Sequence, residues 1–118
     1  MILVVDDEPS LVEAISSVLE DEGYSVTTAP DGLAALRVLH DGLRPCLAIL
    51  DLMMPRMSGW ELRAAMLADP ALADIPVAIC SAYARGEMEA LQPSAILQKP
   101  FELKDILEIA DRYCGAPS

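Results

Sequence analysis

Short apolar runs alternate along this chain with longer stretches whose apolar positions recur at helical spacing. Ile2-Leu3-Val4-Val5 is apolar throughout, the pattern of a strand covered on both faces. Pro9 stands at a first helical turn, and Leu11, Ile15, Val18 and Leu19 follow at helical intervals until Gly23 ends the run. Tyr24–Thr28 reads as a second strand. Asp31-Gly32 turns the chain into a second helix with Leu33, Leu36, Leu39 and His40, stopped by Asp41-Gly42. Cys46–Leu50 reads as a third strand, and Ser58 as the N-cap of a helix through Trp60, Leu62 and Met66 that ends before Pro70. Val77–Cys80 and Ala95–Leu97 are the fourth and fifth strands. A last helix carries Leu103, Ile106, Leu107 and Ala110, with Glu102 in its first turn and Arg112 in its last.

Strands and helices in strict alternation predict an α/β fold: a doubly wound parallel sheet with helices on both faces and right-handed crossovers. The interval from Ala82 to Ser94 is short for a crossover, and Pro93 sits near its end. Glu87–Leu91 leaves room for little more than one turn, so the fourth helix is expected to be shortened or absent. The chain reads as one domain over residues 1–114 with a flexible tail at 115–118.

Composition narrows the function classes. With 118 residues, 53% of them hydrophobic, the chain can bury a real core and is not disordered. No apolar run approaches the roughly 18 residues of a membrane helix. The N-terminus shows no basic segment or cleavage site, so the expectation is a cytoplasmic protein. A net charge of −11 offers no basic face for nucleic acid, and its plainest meaning is solubility. Cys46, Cys80 and Cys114 show no CxxC spacing, so neither a disulfide framework nor a zinc site is indicated. Cys46 and Cys80 read as small core residues, and His40 as a surface group at a helix end.

Chemistry gathers where the strands end. The first strand runs into Asp6-Asp7-Glu8, the third into Asp51, the fourth into Ser81, and the fifth reaches Lys99. In an open parallel sheet these carboxyl ends form one edge, where ligands bind. Taken singly, each has a plainer reading: a helix cap for Asp6-Asp7, a turn residue for Ser81, a surface charge for Lys99. Asp51 resists that treatment, because the run LAIL before it predicts burial. Carboxylates converging from two strands repel unless a cation lies between them. A site of hard oxygen donors suits Mg²⁺, with Mn²⁺ able to substitute. A carboxylate beside such a metal can attack phosphorus, with a lysine and a hydroxyl left to hold the phosphoryl oxygens.

ILVVDDEP, LAILDLMMPRMSG, ICSA and LQKPF together closely resemble the receiver domain of two-component response regulators, over nearly the whole chain. The resemblance implies a flavodoxin-like sheet in the order 2-1-3-4-5. It implies that Asp51 is the phosphoacceptor, that Asp7 binds Mg²⁺ directly and Asp6 through water, and that the backbone carbonyl of Met53 completes the protein ligands. Ser81 and Lys99 match the residues that bind the phosphoryl group and drive the switch. The bond before Pro100 is expected to be cis. Pro55 and Gly59 match the turn after the acceptor, where glycine would permit an unusual backbone. The phosphoryl donor would be a sensor histidine kinase or a phosphotransfer protein, and the recipient of the signal an effector that the sequence does not name. Direct binding of nucleic acid or membrane is not expected.

Three departures stand out. Ile96 occupies a position where the family commonly has an aromatic switch residue, Pro93-Ser94-Ala95 replaces a small-residue pair, and the Ser81-to-Lys99 interval is short. Met53 and Tyr83 lie two positions beyond Asp51 and Ser81, where the family tunes water access; both are bulky, which predicts a long-lived phosphorylated state. Two other readings compete with this one. A haloacid dehalogenase-type phosphatase wants a second acid two residues after its nucleophile, where Met53 stands. A binding-only receiver would keep the fold and not the switch; the departures favour it, and the complete acid–Ser–Lys set opposes it.

Overall fold

Every residue of β1 (Ile2–Val5) is buried, as the unbroken apolar run requires. The computed structural model describes residues 1–81, 92–99 and 101–115. In it the chain continues through α1 (Pro9–Asp21), β2 (Val26–Ala29), α2 (Gly32–His40), β3 (Leu47–Asp51), α3 (Gly59–Ala68), β4 (Val77–Ser81), β5 (Ala95–Gln98) and α4 (Leu103–Cys114). The five strands form one parallel sheet in the order β2-β1-β3-β4-β5. Fold class and strand order are those expected. Of the Ala82–Ser94 interval, where the fourth helix was expected to be shortened or absent, residues 82–91 lie outside the described residues, so that expectation does too, as do Tyr83 and Pro100.

The two-residue period of the strands divides the core. Leu3, Val5, Ala48, Leu50, Val77 and Ile79 face α2 and α3, whose Ala35, Leu39, Leu62 and Met66 cover them. Ile2, Val4, Leu47, Ile49, Ala78 and Cys80 face α1 and α4, against Ile15, Leu19, Ile106 and Ala110. Local signals set the helix starts, Pro9 and Ser58 as read from the sequence. Pro9 opens α1, Asp31 caps α2 by accepting the Ala34 amide at 2.9 Å, and Ser58 and Glu61 form a reciprocal capping box on α3. Strand ends moved by a residue or two: β3 begins at Leu47, not Cys46, and runs through Asp51.

One expectation is overturned. Cys46, just before β3, is joined by a disulfide to Cys114, the last residue of α4, with their Cα atoms 5.3 Å apart. Cys46 is therefore half of a cross-link and not a free core thiol. The partners are separated by 68 positions, so no local spacing could announce the pairing. It arises because α4 packs back across the sheet and brings its C-terminal end to the edge where β3 begins. Tyr24 ties the same end down, its hydroxyl donating to the Asp111 carboxylate. The Tyr113 hydroxyl donates to the Ser94 carbonyl at 2.6 Å. Cys80 is the free cysteine, buried as expected, and burial pushes its thiol up to about 12.

Candidate functional site

Parallel register brings the strand-end acids together. Val5 pairs with Leu50, so Asp6 and Asp51 come next to each other at the carboxyl edge. Both are buried, while Asp7 is exposed. Their carboxylates, one oxygen from each, lie within 4.8 Å of one another. The Asp6 side chain is held by the Glu8 amide, which donates to its Oδ1 at 2.9 Å.

Ser81 ends β4 and is buried. Its carbonyl accepts the Lys99 amide at 2.8 Å, which fixes the start of the lysine side chain just beyond β5. From there Lys99 reaches across β4, placing Nζ 3.3 Å from Asp51 Oδ1 and 4.0 Å from Asp6 Oδ2. The structure thus brings Asp6, Asp7, Asp51 and Lys99 together, with Ser81 at the end of the intervening strand. Met53 lies just past the buried Leu52 and is 61% exposed.

Three carboxylates against one ammonium leave the cluster two charges negative when all are ionised. Burial pushes the Asp6 carboxyl above its usual range, and Asp51 and Asp7 add to the rise against the Glu8 amide and Lys99. Burial also raises Asp51, although Lys99 opposes it. For Lys99, burial works to lower its pKa, but Asp51 and Asp6 outweigh that and raise it. A divalent cation matches this donor set: oxygen ligands only, at close quarters, carrying surplus negative charge.

That electrostatic state carries a pH signature. Carboxyls raised in the folded chain bind protons more readily there than in the unfolded chain. The metal-free protein is therefore expected to gain stability as pH descends through the raised values to the ordinary 3.8. Over the same descent protons compete with the cation, so half-saturation by Mg²⁺ moves to higher concentration. Asp31 acts in the opposite sense. The Ala34 amide holds it below the ordinary value and Arg56 adds to this, so its stabilising contribution is lost only below 3.8. Melting curves against pH, with and without Mg²⁺, check the sign; a metal-free melting point that fell through the upper window would contradict it.

The loop after Asp51 differs from its sequence reading. Gly59 does not carry a left-handed backbone; that conformation falls on Arg56, at φ 63°. Gly59 is needed for space: a Cβ there would stand 2.2 Å from the Asp51 carbonyl oxygen. Arg56 and its partner Asp31 had escaped notice, since Asp31-Gly32 reads simply as a turn and nothing local pairs it with Arg56. Arg63 was missed as well: it is buried on α3, with Nη2 donating to the Gln92 carbonyl at 3.1 Å.

A sequence model of the response regulator receiver domain matches residues 2–111. The chain is 37% identical to an uncharacterised 14.6 kDa protein of Leptolyngbya boryana, over 98% of this chain and 90% of that one. It is 34% identical to the DNA-binding dual master transcriptional regulator RpaA of Synechocystis sp., over 90% of this chain but only 45% of the regulator. Among solved structures it resembles the response regulator TrrA of Thermotoga maritima, determined in complex with Mg²⁺ and BeF, with a TM-score of 0.83 and 31% identity over 95% of this chain and 96% of that one. The acid cluster at the carboxyl edge, the strand order and the match over residues 2–111 agree, and this chain belongs to the response regulator receiver domain family.

Proposed function

We propose that this chain accepts a phosphoryl group on Asp51 from the phosphohistidine of a sensor histidine kinase or phosphotransfer protein, and that phosphorylation changes a protein-binding surface read by a downstream effector. The observation that carries this reading is the convergence of Asp6, Asp7 and Asp51 within 4.8 Å, with Lys99 Nζ 3.3 Å from the acceptor. Asp7, Asp51 and the Met53 carbonyl would hold Mg²⁺ directly and Asp6 through water; Mn²⁺ carries similar ligand preferences. When bound, the ion supplies positive charge that offsets the charge developing on the phosphoryl oxygens.

The chain's own residues do the rest. A carboxylate oxygen of Asp51 attacks phosphorus, and the P–N bond to the donor breaks. Its electron pair stays on the imidazole nitrogen, which takes up a proton from solvent. Lys99 exchanges part of its contact with Asp51 for a phosphoryl oxygen, and the Ser81 hydroxyl donates to another. The product adds up to about two negative charges at the sheet edge, enough to bias a two-state equilibrium. The chain turns over no separate substrate; it acts on its own aspartate. The reading places it in the cytoplasm. Among the described residues no helix is long and apolar enough to cross a membrane.

Incubation with Mg²⁺ and a small phosphodonor, or with beryllium fluoride, tests the proposal. One phosphoryl equivalent on Asp51, or fluoride binding that needs Mg²⁺, supports it. An intact fold that takes neither points to the binding-only module, which Ile96 in the aromatic switch position favours. The bulk of Met53, two positions beyond Asp51, supports slow hydrolysis by restricting water. Met53→Asn is expected to speed dephosphorylation about tenfold, or ~1.4 kcal/mol of barrier. An unchanged half-life in a single-turnover decay would remove Met53 from that role. Tyr83, two positions beyond Ser81 in sequence, is proposed for the same role.

A further inference from the structure

The 52–58 loop must hold the Met53 carbonyl in place, yet it contains no helix or strand. Its ends are set locally: Leu52 is fully buried, and the Gly59 amide donates to the Leu52 carbonyl at 3.0 Å. The middle is held from outside, by the start of α2. The Gly32 amide donates to the Met57 carbonyl at 3.0 Å. The approach is so close that a Cβ on Gly32 would stand 2.6 Å from that oxygen. One residue earlier, Arg56 Nη2 meets Asp31 Oδ2 at 2.7 Å.

The two partners of that pair are unlike. The Arg56 side chain is 67% exposed, whereas that of Asp31 is 2% exposed. Solvent screens the arginine end of the pair, but removing Arg56 leaves a buried carboxylate without its charge partner, which costs stability. Asp31 is anchored: its Oδ1 accepts the Ala34 amide and caps α2, so Oδ2 is a fixed point to which the loop can be tied. Arg56 also adopts the left-handed backbone at φ 63°, which a non-glycine residue keeps only when its surroundings over-determine it. With both loop ends fixed, freedom gained at 56 and 57 passes back to 53–55.

We propose that Arg56, Asp31 and Gly32 form a clamp that holds the 52–58 loop so that the Met53 carbonyl faces the metal, making Arg56 and Asp31 positioning residues for phosphoryl uptake at Asp51. This rests on the metal-dependent function proposed above. The clamp predicts a particular division of effects. Arg56→Gly removes the cation while easing the left-handed backbone, so the fold is retained. Asp31→Asn keeps an oxygen to cap α2 and removes the charge. Each is expected to weaken Mg²⁺ binding about tenfold, the lower end for groups that orient metal ligands, with the phosphorylation rate at saturating Mg²⁺ near that of the parent. Arg56→Lys restores most of the affinity, and the double variant is no worse than either single one, because the two residues form one contact.

The experiment pairs Mg²⁺ titration by calorimetry with amide exchange in the metal-free protein. In the parent the Gly32 amide is protected; in Arg56→Gly and Asp31→Asn its protection falls and exchange through 52–58 rises, while the amides of the sheet strands stay protected. Variants that bind Mg²⁺ as the parent does, or loop amides that exchange at parental rates, overturn the clamp. A parent chain that binds no Mg²⁺ overturns the metal reading and this metal role together. The exchange rates of the metal-free variants then separate the two failures, since they report the tether without any metal.

Discussion

The Asp51→Asn chain is expected to take up no phosphoryl group and, in the absence of Mg²⁺, to melt at a higher temperature than the parent. Both outcomes come from the same cluster. Asparagine lacks the anionic oxygen that would attack phosphorus but nearly matches the shape of aspartate, so no cavity opens. It removes one of three carboxylates held within 4.8 Å of one another, two of them buried and both pushed above the usual carboxylate range. The lost contact is the one to Lys99, which keeps Asp6 at 4.0 Å. The expected gain is about 0.5–2 kcal/mol, the scale on which relief at a functional site acts, or a few degrees for a domain of this size. The parent should recover the difference on adding Mg²⁺, about 2.7 kcal/mol at a hundred times the dissociation constant, and the variant much less. Thermal melts with and without Mg²⁺, beside mass analysis after phosphodonor treatment, read both halves. A variant that melts lower without metal would show that the Lys99 contact outweighs the repulsion, and phosphoryl uptake by it would move the acceptor elsewhere.

Opening the Cys46–Cys114 bridge is expected to have the larger effect on stability. It closes a loop of 68 positions, worth about 4 kcal/mol on the chain-entropy account. That is a sizeable part of the roughly 5–15 kcal/mol that holds a typical domain folded. Cys46→Ser and Cys114→Ser should therefore melt well below the oxidised parent and alongside the reduced one. In the unfolded, never-reduced parent only Cys80 should react with a thiol reagent, and in the native state not even that, since burial pushes its thiol up to about 12. Three reactive thiols, or a melting point indifferent to reductant, would falsify the bridge. The comparison matters because disulfides are rare in a reducing cytoplasm. If the cytoplasmic placement holds, the chain works there without this cross-link and at the lower stability.

Much of this molecule is readable from local pattern. The unbroken apolar runs of β1 and β3, Pro9 at the start of α1 and Ser58 with Glu61 at the start of α3 are signals that act within a few residues, and the structure follows them. Asp51 stands out in the sequence for a related reason. An acid directly after LAIL conflicts with the burial that the run imposes, and such local conflicts mark functional sites. The errors were of another kind. Cys46 read as a core thiol because its partner lies 68 positions away. Gly59 was read as conformationally special when it is required for space, and the left-handed backbone falls on Arg56.

What the sequence by itself determined is the set of elements, their alternation, and the acids, serine and lysine at the strand ends. These depend on side-chain period, capping and burial, which are properties of neighbouring residues. Only the tertiary structure decided which of these groups meet. Parallel register set Asp6 beside Asp51, the Ser81 carbonyl anchored Lys99 for its reach across β4, and the packing of α4 brought Cys114 to Cys46. The same holds for Asp31 and Arg56, which lie on separate loops and meet because β2 and β3, the strands flanking β1, end at one edge of the parallel sheet. Contacts of that kind depend on strand order and register, and no short window of residues contains either.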